Sequence, residues 1–285
     1  MSLLVADIVE TSGGVPWFLS RGYGGRLDGQ ERVDPARHTA AEVGDEPLLL
    51  AARAPTVISR NRQLGAEFIA RQAPANAVII MDDGLQNPAL TKDLTIVVVD
   101  AARGFGNGAV IPAGPLRAPL AFQLRLADMI VVNGASGGRA RRQLTGAPGA
   151  SGNPQLSAHP VPRGDTSWLK AAKVVAYAGI ANPERFFALL ETLGAVVAER
   201  VAFGDHQSMS NEEAEQLLAL AGKHDAQLVT TEKDFVRLGG LDRARTELRA
   251  KSKALPIALQ MPDKDCAALA ARVADILNSH RAKKM

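Results

Sequence analysis

The sequence has very few cysteine and aromatic residues. Cys266 is the single cysteine among 285 residues, so an intrachain disulfide is excluded and a reducing cytoplasm is favoured over secretion. Aromatic residues make up only 4% of the chain, which means that the core must consist mainly of Ala, Val, Leu and Ile side chains. No apolar run is long enough to cross a bilayer, so we expect no transmembrane segment.

The sequence also has little net charge. The net charge is +3 and the isoelectric point is about 9.1, which suits anionic ligands such as phosphates or an anionic lipid surface. This excess is too small to indicate nucleic-acid binding. The sequence also has no stripe of basic and aromatic residues of the kind that binds single strands. We therefore expect no nucleic-acid partner.

The apolar residues occur in short runs that are rich in β-branched side chains. Such runs are typical of parallel strands buried on both faces. They cover residues 15–20, 56–59, 77–81, 94–100, 129–134, 173–179, 227–231 and 255–261. Amphipathic or capped helical segments lie between several of them: 61–72, 182–194 and a segment after Ser210. Alternating strands and helices predict an α/β fold with mostly parallel sheets.

A polar, basic segment rich in glycine and proline covers residues 134–167. Segments of this composition are typical of linkers between domains. We therefore expect a first domain over residues 1–133, a linker or hinge over 134–167, and a second α/β domain over 168–285.

Two adjacent carboxylates follow the apolar run 77–81, in the stretch "VIIMDDGLQN". A hydrophobic strand that ends in Asp82 and Asp83 fits the Walker-B pattern, in which a carboxylate holds the magnesium ion that accompanies ATP phosphates. Ligands of open α/β sheets bind at this carboxyl edge. The structural alternative is that one aspartate caps a turn and the other is solvated.

Two further segments contain candidate proton acceptors. Asp45 and Glu46 lie in "VGDEPLLLA", where a carboxylate could accept a hydroxyl proton or could simply be favoured at a helix N-terminus. Asp205 and His206 lie in "FGDHQS", where the histidine could tune a carboxylate or take a proton itself, or could be ordinary polar surface.

Three glycine-rich or polar turns complete the set of candidate phosphate contacts. The segment "GFGNGAVIPAGPLR" offers Arg117 to an anion, and "SRGYGG" offers Arg21. The apolar segment after the first of these turns does not open a helix, so a dinucleotide fingerprint is not indicated. The segment "TTEKD", residues 230–234, places polar residues at the end of another predicted strand.

Taken together and in order, these segments resemble a known family. The motifs "SRGYGG", "AAEVGDEPLLLA", "MDDGLQNPAL", "GPLR", "AGIANPERFF", "F-x-D-H" and "TTEKD" resemble those of tetraacyldisaccharide 4'-kinase, the lipid A pathway kinase of Gram-negative bacteria. The resemblance extends from about Pro16 to the end of "TTEKD". It implies two α/β/α domains, the first of them related to P-loop kinases.

The resemblance also implies an activity and a set of site residues. The expected reaction is the magnesium-dependent transfer of the ATP γ-phosphate to the 4'-hydroxyl of a tetraacylated glucosamine disaccharide 1-phosphate. By this resemblance Asp45 is the catalytic base and His206 is its partner. The Walker-B carboxylates are Asp82 and Asp83. A final set completes the expected nucleotide and metal contacts: Gln86, Arg21 and Arg117 toward the nucleotide, and Glu46 as a further magnesium ligand.

The sequence departs from the family in its phosphate loop. The family carries a "GGTGKT" loop before the "SRGYGG" strand, and no segment here matches G-x-x-x-x-G-K-[ST]. We therefore expect a first domain that is P-loop-kinase-like but truncated at its N-terminus, with weak ATP binding by the chain as written. Either a longer protein supplies the loop, or the chain is an inactive remnant that acts at most as a binding module. An unrelated α/β nucleotide enzyme is a third hypothesis.

The acylated acceptor implies a location. We expect peripheral contact with the cytoplasmic face of the inner membrane, and a truncated chain could equally be soluble in the cytoplasm. The basic residues Arg139, Arg141 and Arg142 could contact anionic headgroups, or could belong to a solvated loop.

Overall fold

The structure is a computed structural model that describes residues 1–134, 138–150, 152–205, 207, 209–239 and 243–282. The chain forms two compact units, and both are built from separate stretches of sequence. The first unit contains Met1–Arg21, Asn61–Val161 and Leu259–Met285, and the second contains Gly22–Arg60 and Pro162–Ala258.

Helices and strands alternate along most of the chain. The helices are α1 (Ser2–Thr11), α2 (Ala40–Val43), α3 (Asp45–Ala51), α4 (Arg62–Ala70), α5 (Leu120–Arg125), α6 (Arg139–Leu144), α7 (Pro183–Thr192), α8 (Asn211–His224), α9 (Glu232–Arg237), α10 (Arg243–Lys251) and α11 (Asp263–Ala282). The strands are β1 (Val15–Ser20), β2 (Glu31–Arg32), β3 (Thr56–Ile58), β4 (Ala77–Met81), β5 (Ile96–Asp100), β6 (Met129–Asn133), β7 (Gln155–Pro162), β8 (Lys173–Ala178), β9 (Val196–Ala202), β10 (Gln227–Thr231), β11 (Ser252–Leu255) and β12 (Ile257–Gln260).

Parallel strand pairs form the first unit. Strand β1 pairs with β4 from Val15 opposite Ala77 to Leu19 opposite Met81, and the Asp82 N–H donates to the Leu19 carbonyl at 3.1 Å. Strand β6 pairs in parallel with both β5 and β7. The pairing brings the carboxyl ends of β1 and β4 to one edge, so the residues that follow them, Arg21 and Asp82, lie near each other.

A four-stranded sheet in the order β11-β10-β8-β9 forms the centre of the second unit, and all its pairs are parallel. Alternate residues of β8 belong to two different core clusters. Val174 packs with Phe187 of α7, whereas Val175 and Tyr177 pack with Leu217 of α8. Because successive side chains of a strand point to opposite faces, helices cover both faces of this sheet.

Local sequence explains where the helices of the second unit begin. Asn182 caps α7 by accepting from the Arg185 N–H, and Pro183 occupies the first turn, where its missing N–H costs nothing. Ser210 and Glu213 form the predicted capping box at the start of α8. The prediction of an α/β fold with mostly parallel sheets is confirmed.

The structure differs from the sequence prediction at one predicted strand and at the predicted linker. The expected strand over 255–261 is divided into β11 and β12 at Pro256, which has no N–H to donate to a ladder. The expected linker over 134–167 contains α6 and β7, and β7 pairs with β6. The unit boundaries also differ from the continuous ranges 1–133 and 168–285, because residues 22–60 fall in the second unit and residues 259–285 fall in the first.

Candidate active site

Asp45 is the first residue of α3, and the preceding Gly44 allows the sharp backbone turn between α2 and α3. Gly44 ends α2 and caps α3 with φ +90°, a backbone conformation that favours glycine. A Cβ atom at Gly44 would also stand 2.5 Å from the Tyr23 carbonyl oxygen. The tight turn therefore directs the Asp45 carboxylate inward at the N-terminus of α3, where the side chain is only 5% exposed.

Arg237, from α9, neutralises this buried carboxylate. Its Nε donates to Asp45 Oδ2 at 2.8 Å, and its Nη2 donates to the same oxygen. Its Nη1 donates to Asp234 Oδ1 and to the Gly179 carbonyl, both at 2.8 Å. One guanidinium thus joins two buried carboxylates, which is the kind of multiple contact that the planar fork of arginine favours.

A second ion pair lies next to the first. Lys233 Nζ donates to Glu46 Oε1 at 2.6 Å, and the Glu46 N–H donates to Asp45 Oδ1 at 3.0 Å. We call Asp45, Glu46, Lys233, Asp234 and Arg237 the Asp45 cluster. Every member belongs to the second unit, although we had expected Asp45 in the first domain.

The two adjacent carboxyls of this cluster have opposite pKa shifts. Burial acts to raise the pKa of Asp45. Hydrogen bonds with Glu46 and Arg237 and the positive charges of Arg237 and Lys233 outweigh burial and hold that pKa well below its usual range. Burial raises the pKa of Glu46, the Asp45 carboxylate adds to this effect, and Lys233 opposes it. Asp45 is therefore the more acidic of the two carboxyls.

A second group of charges lies at the carboxyl end of β1 and β4 in the first unit. Asp82 Oδ1 accepts from the Ser2 hydroxyl at 2.9 Å, and the Asp82 carbonyl accepts from Arg62 Nη2 at 3.0 Å. Asp83 has φ +49°, and one of its carboxylate oxygens lies 3.9 Å from Arg117 Nη1. We call Asp82, Asp83, Arg21, Arg62 and Arg117 the Asp82 cluster.

Arg62 is the buried cation of the Asp82 cluster. It is 3% exposed, at the start of α4. Burial lowers the pKa of Arg62, Asp82 and Asp83 oppose that effect, and Arg21 lowers it further. These four side chains are therefore close enough to interact electrostatically, and three of them, Asp82, Asp83 and Arg21, are predicted site residues.

The glycine-rich loop after β5 is held by a side chain of α6. Gly104, Gly106 and Gly108 all have positive φ, at +56°, +59° and +76°. Gln143 accepts from the Phe105 N–H at 2.8 Å and donates to the Gly106 carbonyl at 2.9 Å. The loop is thus a fixed turn, and Arg117 follows it in sequence.

Two predicted site residues, Gln86 and His206, are not among the members of the two charged clusters. Gln86 donates to the Gln123 side chain at 3.0 Å, on the surface of the first unit. His206 lies outside the described residues, so its expected pairing with Asp45 stays a prediction. Its neighbour Asp205 is exposed.

The carboxylates of the Asp82 cluster fit a magnesium ion. Among the residues that the structure describes, no group of three or more His, Cys, Asp or Glu side chains could hold a metal ion. Mg²⁺ that accompanies ATP needs only one or two protein carboxylates, because phosphate oxygens and water complete its octahedron. Asp82 and Asp83 supply two adjacent carboxylates at the end of one strand, and this donor set suits that ion.

Two buried arginines of these clusters were missed by sequence reasoning. Arg62 lies in a segment that was noted only as an amphipathic helix, and Arg237 follows "TTEKD" by three positions. A signal for Arg237 exists, because Asp234 and Arg237 have the spacing that brings side chains together on one helix face. Arg62 has a weaker signal, a cation in the first turn of the predicted helix 61–72, three positions after the predicted strand 56–59.

Among the described residues, no helix is both long enough and apolar enough to span a membrane.

Comparisons with known proteins agree on one family. The family model "LpxK: Tetraacyldisaccharide-1-P 4'-kinase" matches residues 1–277. A tetraacyldisaccharide 4'-kinase from Rhodopseudomonas palustris is 43% identical over 100% of this chain and 81% of the relative. One from Methylobacterium radiotolerans is 50% identical over 83% of this chain and 71% of the relative.

A solved structure resembles the fold. The crystal structure of LpxK from Aquifex aeolicus, in complex with ATP, has a TM-score of 0.71 and 24% sequence identity. The match covers 96% of this chain and 82% of that one.

Proposed function

Since the chain belongs to the tetraacyldisaccharide 4'-kinase family and is a kinase by family, we propose that it transfers the γ-phosphate of ATP to the 4'-hydroxyl of a tetraacylated glucosamine disaccharide 1-phosphate in lipid A biosynthesis. The observation that carries this proposal is the buried, ionised carboxylate of Asp45 in the Asp45 cluster. The match of the family model to residues 1–277 supports it. Phosphoryl transfer requires positioning and charge neutralisation more than covalent chemistry.

Asp45 acts as the general base in this proposal. Its carboxylate accepts the proton of the acceptor hydroxyl while the hydroxyl oxygen forms a bond to the γ-phosphorus. The bond between that phosphorus and the bridging oxygen breaks, and ADP leaves with the bonding electrons. Despite burial, Arg237 and Lys233 hold the pKa of Asp45 below its usual range, so the carboxylate is ionised at neutral pH. A carboxylate of low pKa is a weak base, so in this proposal it receives the proton late, when the bond from the hydroxyl oxygen to phosphorus has formed and has made that proton more acidic. His206 is proposed as its partner.

The Asp82 cluster serves the nucleotide in this proposal. Asp82 and Asp83 would hold Mg²⁺, which when bound neutralises charge on the phosphate oxygens. Arg21, Arg62 and Arg117 supply positive charge for the phosphates at the same sheet edge. Gln86 and Glu46 remain proposed contacts of the nucleotide and the metal ion.

Radiolabel transfer tests the proposal. The purified protein is incubated with γ-labelled ATP, Mg²⁺ and the tetraacylated disaccharide 1-phosphate in mixed micelles, and labelled lipid is measured. We expect labelled lipid from the wild type and from Glu247→Gln, which alters an exposed ion pair with Lys251. Asp45→Ala should lower turnover by orders of magnitude while ATP binding is retained. Turnover of Asp45→Ala equal to the wild type contradicts the role of Asp45.

One sequence feature favours a second candidate, a binding module without turnover. No segment of the chain matches G-x-x-x-x-G-K-[ST], the loop that contacts the β- and γ-phosphates in P-loop enzymes. This candidate predicts that the protein binds the acylated disaccharide and produces no labelled lipid at any ATP concentration.

The acylated acceptor also leads us to propose peripheral contact with the cytoplasmic face of the inner membrane. Helix α6 presents Arg139 and Arg142 on the surface, and Arg141 donates to the Ser157 hydroxyl at 2.6 Å. Basic side chains near an anionic membrane each contribute about 1 kcal/mol to binding. Arg139→Glu with Arg142→Glu should reduce cosedimentation with anionic vesicles, and unchanged, salt-insensitive cosedimentation would remove α6 from the proposal.

A further inference from the structure

Arg237 makes more contacts than the neutralisation of one carboxylate requires. Its Nε and Nη2 both donate to Asp45 Oδ2, while its Nη1 donates to Asp234 and to the Gly179 carbonyl. The Arg237 side chain is only 9% exposed. Two donors that converge on one oxygen, together with a fixed third nitrogen, leave the guanidinium little freedom to rotate.

Asp234 is held in its turn by the end of the central sheet. Thr231 is the last residue of β10 and the N-cap of α9. The Thr231 hydroxyl donates to Asp234 Oδ2 at 2.6 Å, and the same hydroxyl oxygen accepts from the Asp234 N–H at 3.1 Å. A continuous series of bonds therefore connects the β10 backbone, through Thr231, Asp234 and Arg237, to the carboxylate of Asp45.

The two oxygens of Asp45 receive different donors. Oδ2 receives Arg237, and Oδ1 receives the N–H of Glu46 at 3.0 Å, next to it in α3. Bonds to both oxygens set the plane of the carboxylate as well as its position. A base that takes a proton during in-line transfer depends on such orientation, and an error of about 1 Å costs about 10²-fold in rate.

We propose that Arg237 is a positioning residue that orients the Asp45 carboxylate for proton acceptance, with Asp234 and Thr231 as its support. The proposal rests on the proposed function, because it assumes that Asp45 is the base. A residue that only held the second unit together would lower the folded fraction, which lowers the apparent kcat per total protein but leaves the kcat per folded molecule and the KM unchanged. A positioning residue instead lowers the kcat per folded molecule and leaves substrate affinity intact.

The test compares Arg237→Ala with a matched control, Arg200→Ala. Arg200 also joins two carboxylates of the second unit, Glu184 and Glu191, but its side chain is 45% exposed. With the folded fraction of each variant measured by circular dichroism, we expect Arg237→Ala to lower the kcat per folded molecule about 10²-fold, with the KM for ATP and for the acceptor changed less than about twofold. Arg200→Ala should have wild-type kinetics.

Chemical rescue distinguishes positioning from folding. Free guanidinium, added at millimolar concentrations below those that denature the protein, should restore kcat of Arg237→Ala about tenfold or more, because it can occupy the vacated position. It should not restore Asp45→Ala. If Arg237→Ala does not fold, Arg237→Lys replaces it, since lysine keeps the charge and loses the planar fork. We expect the lysine variant to retain KM and to lose kcat.

The outcomes separate the two proposals. If Asp45→Ala is inactive and Arg237→Ala or Arg237→Lys keeps the wild-type kcat, the positioning role is wrong and the proposed function stands. A rise in KM at unchanged kcat, or no rescue by guanidinium, also contradicts positioning. If Asp45→Ala turns over like the wild type, the assignment of the base fails, and the positioning role fails with it. In an Asp45→Ala background, Arg237→Ala should cause no further loss of kcat.

Discussion

Replacement of Arg237 by methionine should be the most destabilising single change in the Asp45 cluster. Methionine retains an unbranched apolar side chain of similar length and removes the positive charge. Asp45 and Asp234 then remain buried, at 5% and 6% exposure, without the guanidinium that joins them. Removal of either aspartate is milder, because Arg237 still has the other carboxylate as its partner.

The structure sets the size of the expected effect. Removing one partner of a buried ion pair costs about 3–5 kcal/mol, because a desolvated charge is left uncompensated. Here the cost is at the upper end of that range, since two carboxylates lose their partner. The exposed pair of Lys251 and Glu247 sits one turn apart on α10 and is worth only about 0.3–0.5 kcal/mol. Lys251→Met is therefore the matched control.

Urea unfolding followed by fluorescence measures the loss. The chain has two tryptophans: Trp168 is partly buried and packs against a core cluster of the second unit, while Trp17 lies in β1 of the first. Trp17→Phe therefore provides a background in which the fluorescence reports only on the second unit. Because a chain with two units need not unfold in a single transition, the stability of the Asp45 cluster is taken from the transition that Trp168 reports.

Two results would show that loss of the Arg237 charge is not the cause of the lower stability. A loss below about 1 kcal/mol for Arg237→Met, similar to the loss for Lys251→Met, would mean that the buried charges are not coupled as described. The second result concerns the cause. Neutralising both carboxylates, by Asp45→Asn with Asp234→Asn in the Arg237→Met background, should recover part of the lost stability. Further loss would show that unpaired charge is not the origin of the effect.

Three other changes test individual features. Burial raises the pKa of the Tyr177 hydroxyl. The contribution of Tyr177 to the free energy of unfolding should therefore be complete below pH about 10 and should decrease above that pH, where the same hydroxyl ionises in the unfolded chain. In urea unfolding at several pH values, this decrease in the free energy of unfolding should be absent from Tyr177→Phe. It should persist in the control Tyr23→Phe, because the Tyr23 ring is 72% exposed. Gly44→Ala forces a Cβ against the Tyr23 carbonyl at φ +90°, so it should lower the melting temperature and the turnover more than Gly24→Ala, where φ is +79° and no atom lies within 4 Å. Ser210→Ala removes the cap of α8 and should cost about 1 kcal/mol in urea unfolding; no loss would mean that the capping bond is not significant in solution.

The strands could be predicted because their signal is local. Runs such as 77–81 and 227–231 contain enough β-branched and apolar residues to identify a buried strand without knowledge of its neighbours. The capping box at Ser210 and the asparagine cap at Asn182 are equally local. These features depend on residues within one turn or one strand, so the sequence alone was sufficient.

The division into units could not be predicted in the same way. Composition suggested a linker at 134–167, but a glycine- and proline-rich segment can still contribute a strand when its few apolar residues alternate, as Leu156 and Ala158 do in β7. The assignment of residues 22–60 to the second unit depends on contacts such as that of Val236 with the cluster of Val43 and Ile58. Such long-range packing has no local signature.

Only part of the two charged clusters could be named from the sequence. Asp45, Asp82 and Asp83 could be named as candidates because each carboxylate stands next to a strand or helix boundary in a recognisable motif, and their roles stay predictions. Arg237 was missed because its partner Asp45 is 192 positions away, and a basic residue in the last turn of a helix is ordinarily explained by the helix dipole. Burial is what distinguishes it, and burial was not visible in the sequence.

The position of the new phosphate on the lipid product is the decisive test of the proposed function. After incubation with ATP, Mg²⁺ and the tetraacylated disaccharide 1-phosphate, the lipid is recovered and its phosphate positions are determined by NMR. We predict one new phosphate, attached to the 4'-oxygen, and no such product from Asp45→Ala. A lipid that carries only its original 1-phosphate, or a new phosphate at another position, would contradict the proposed function.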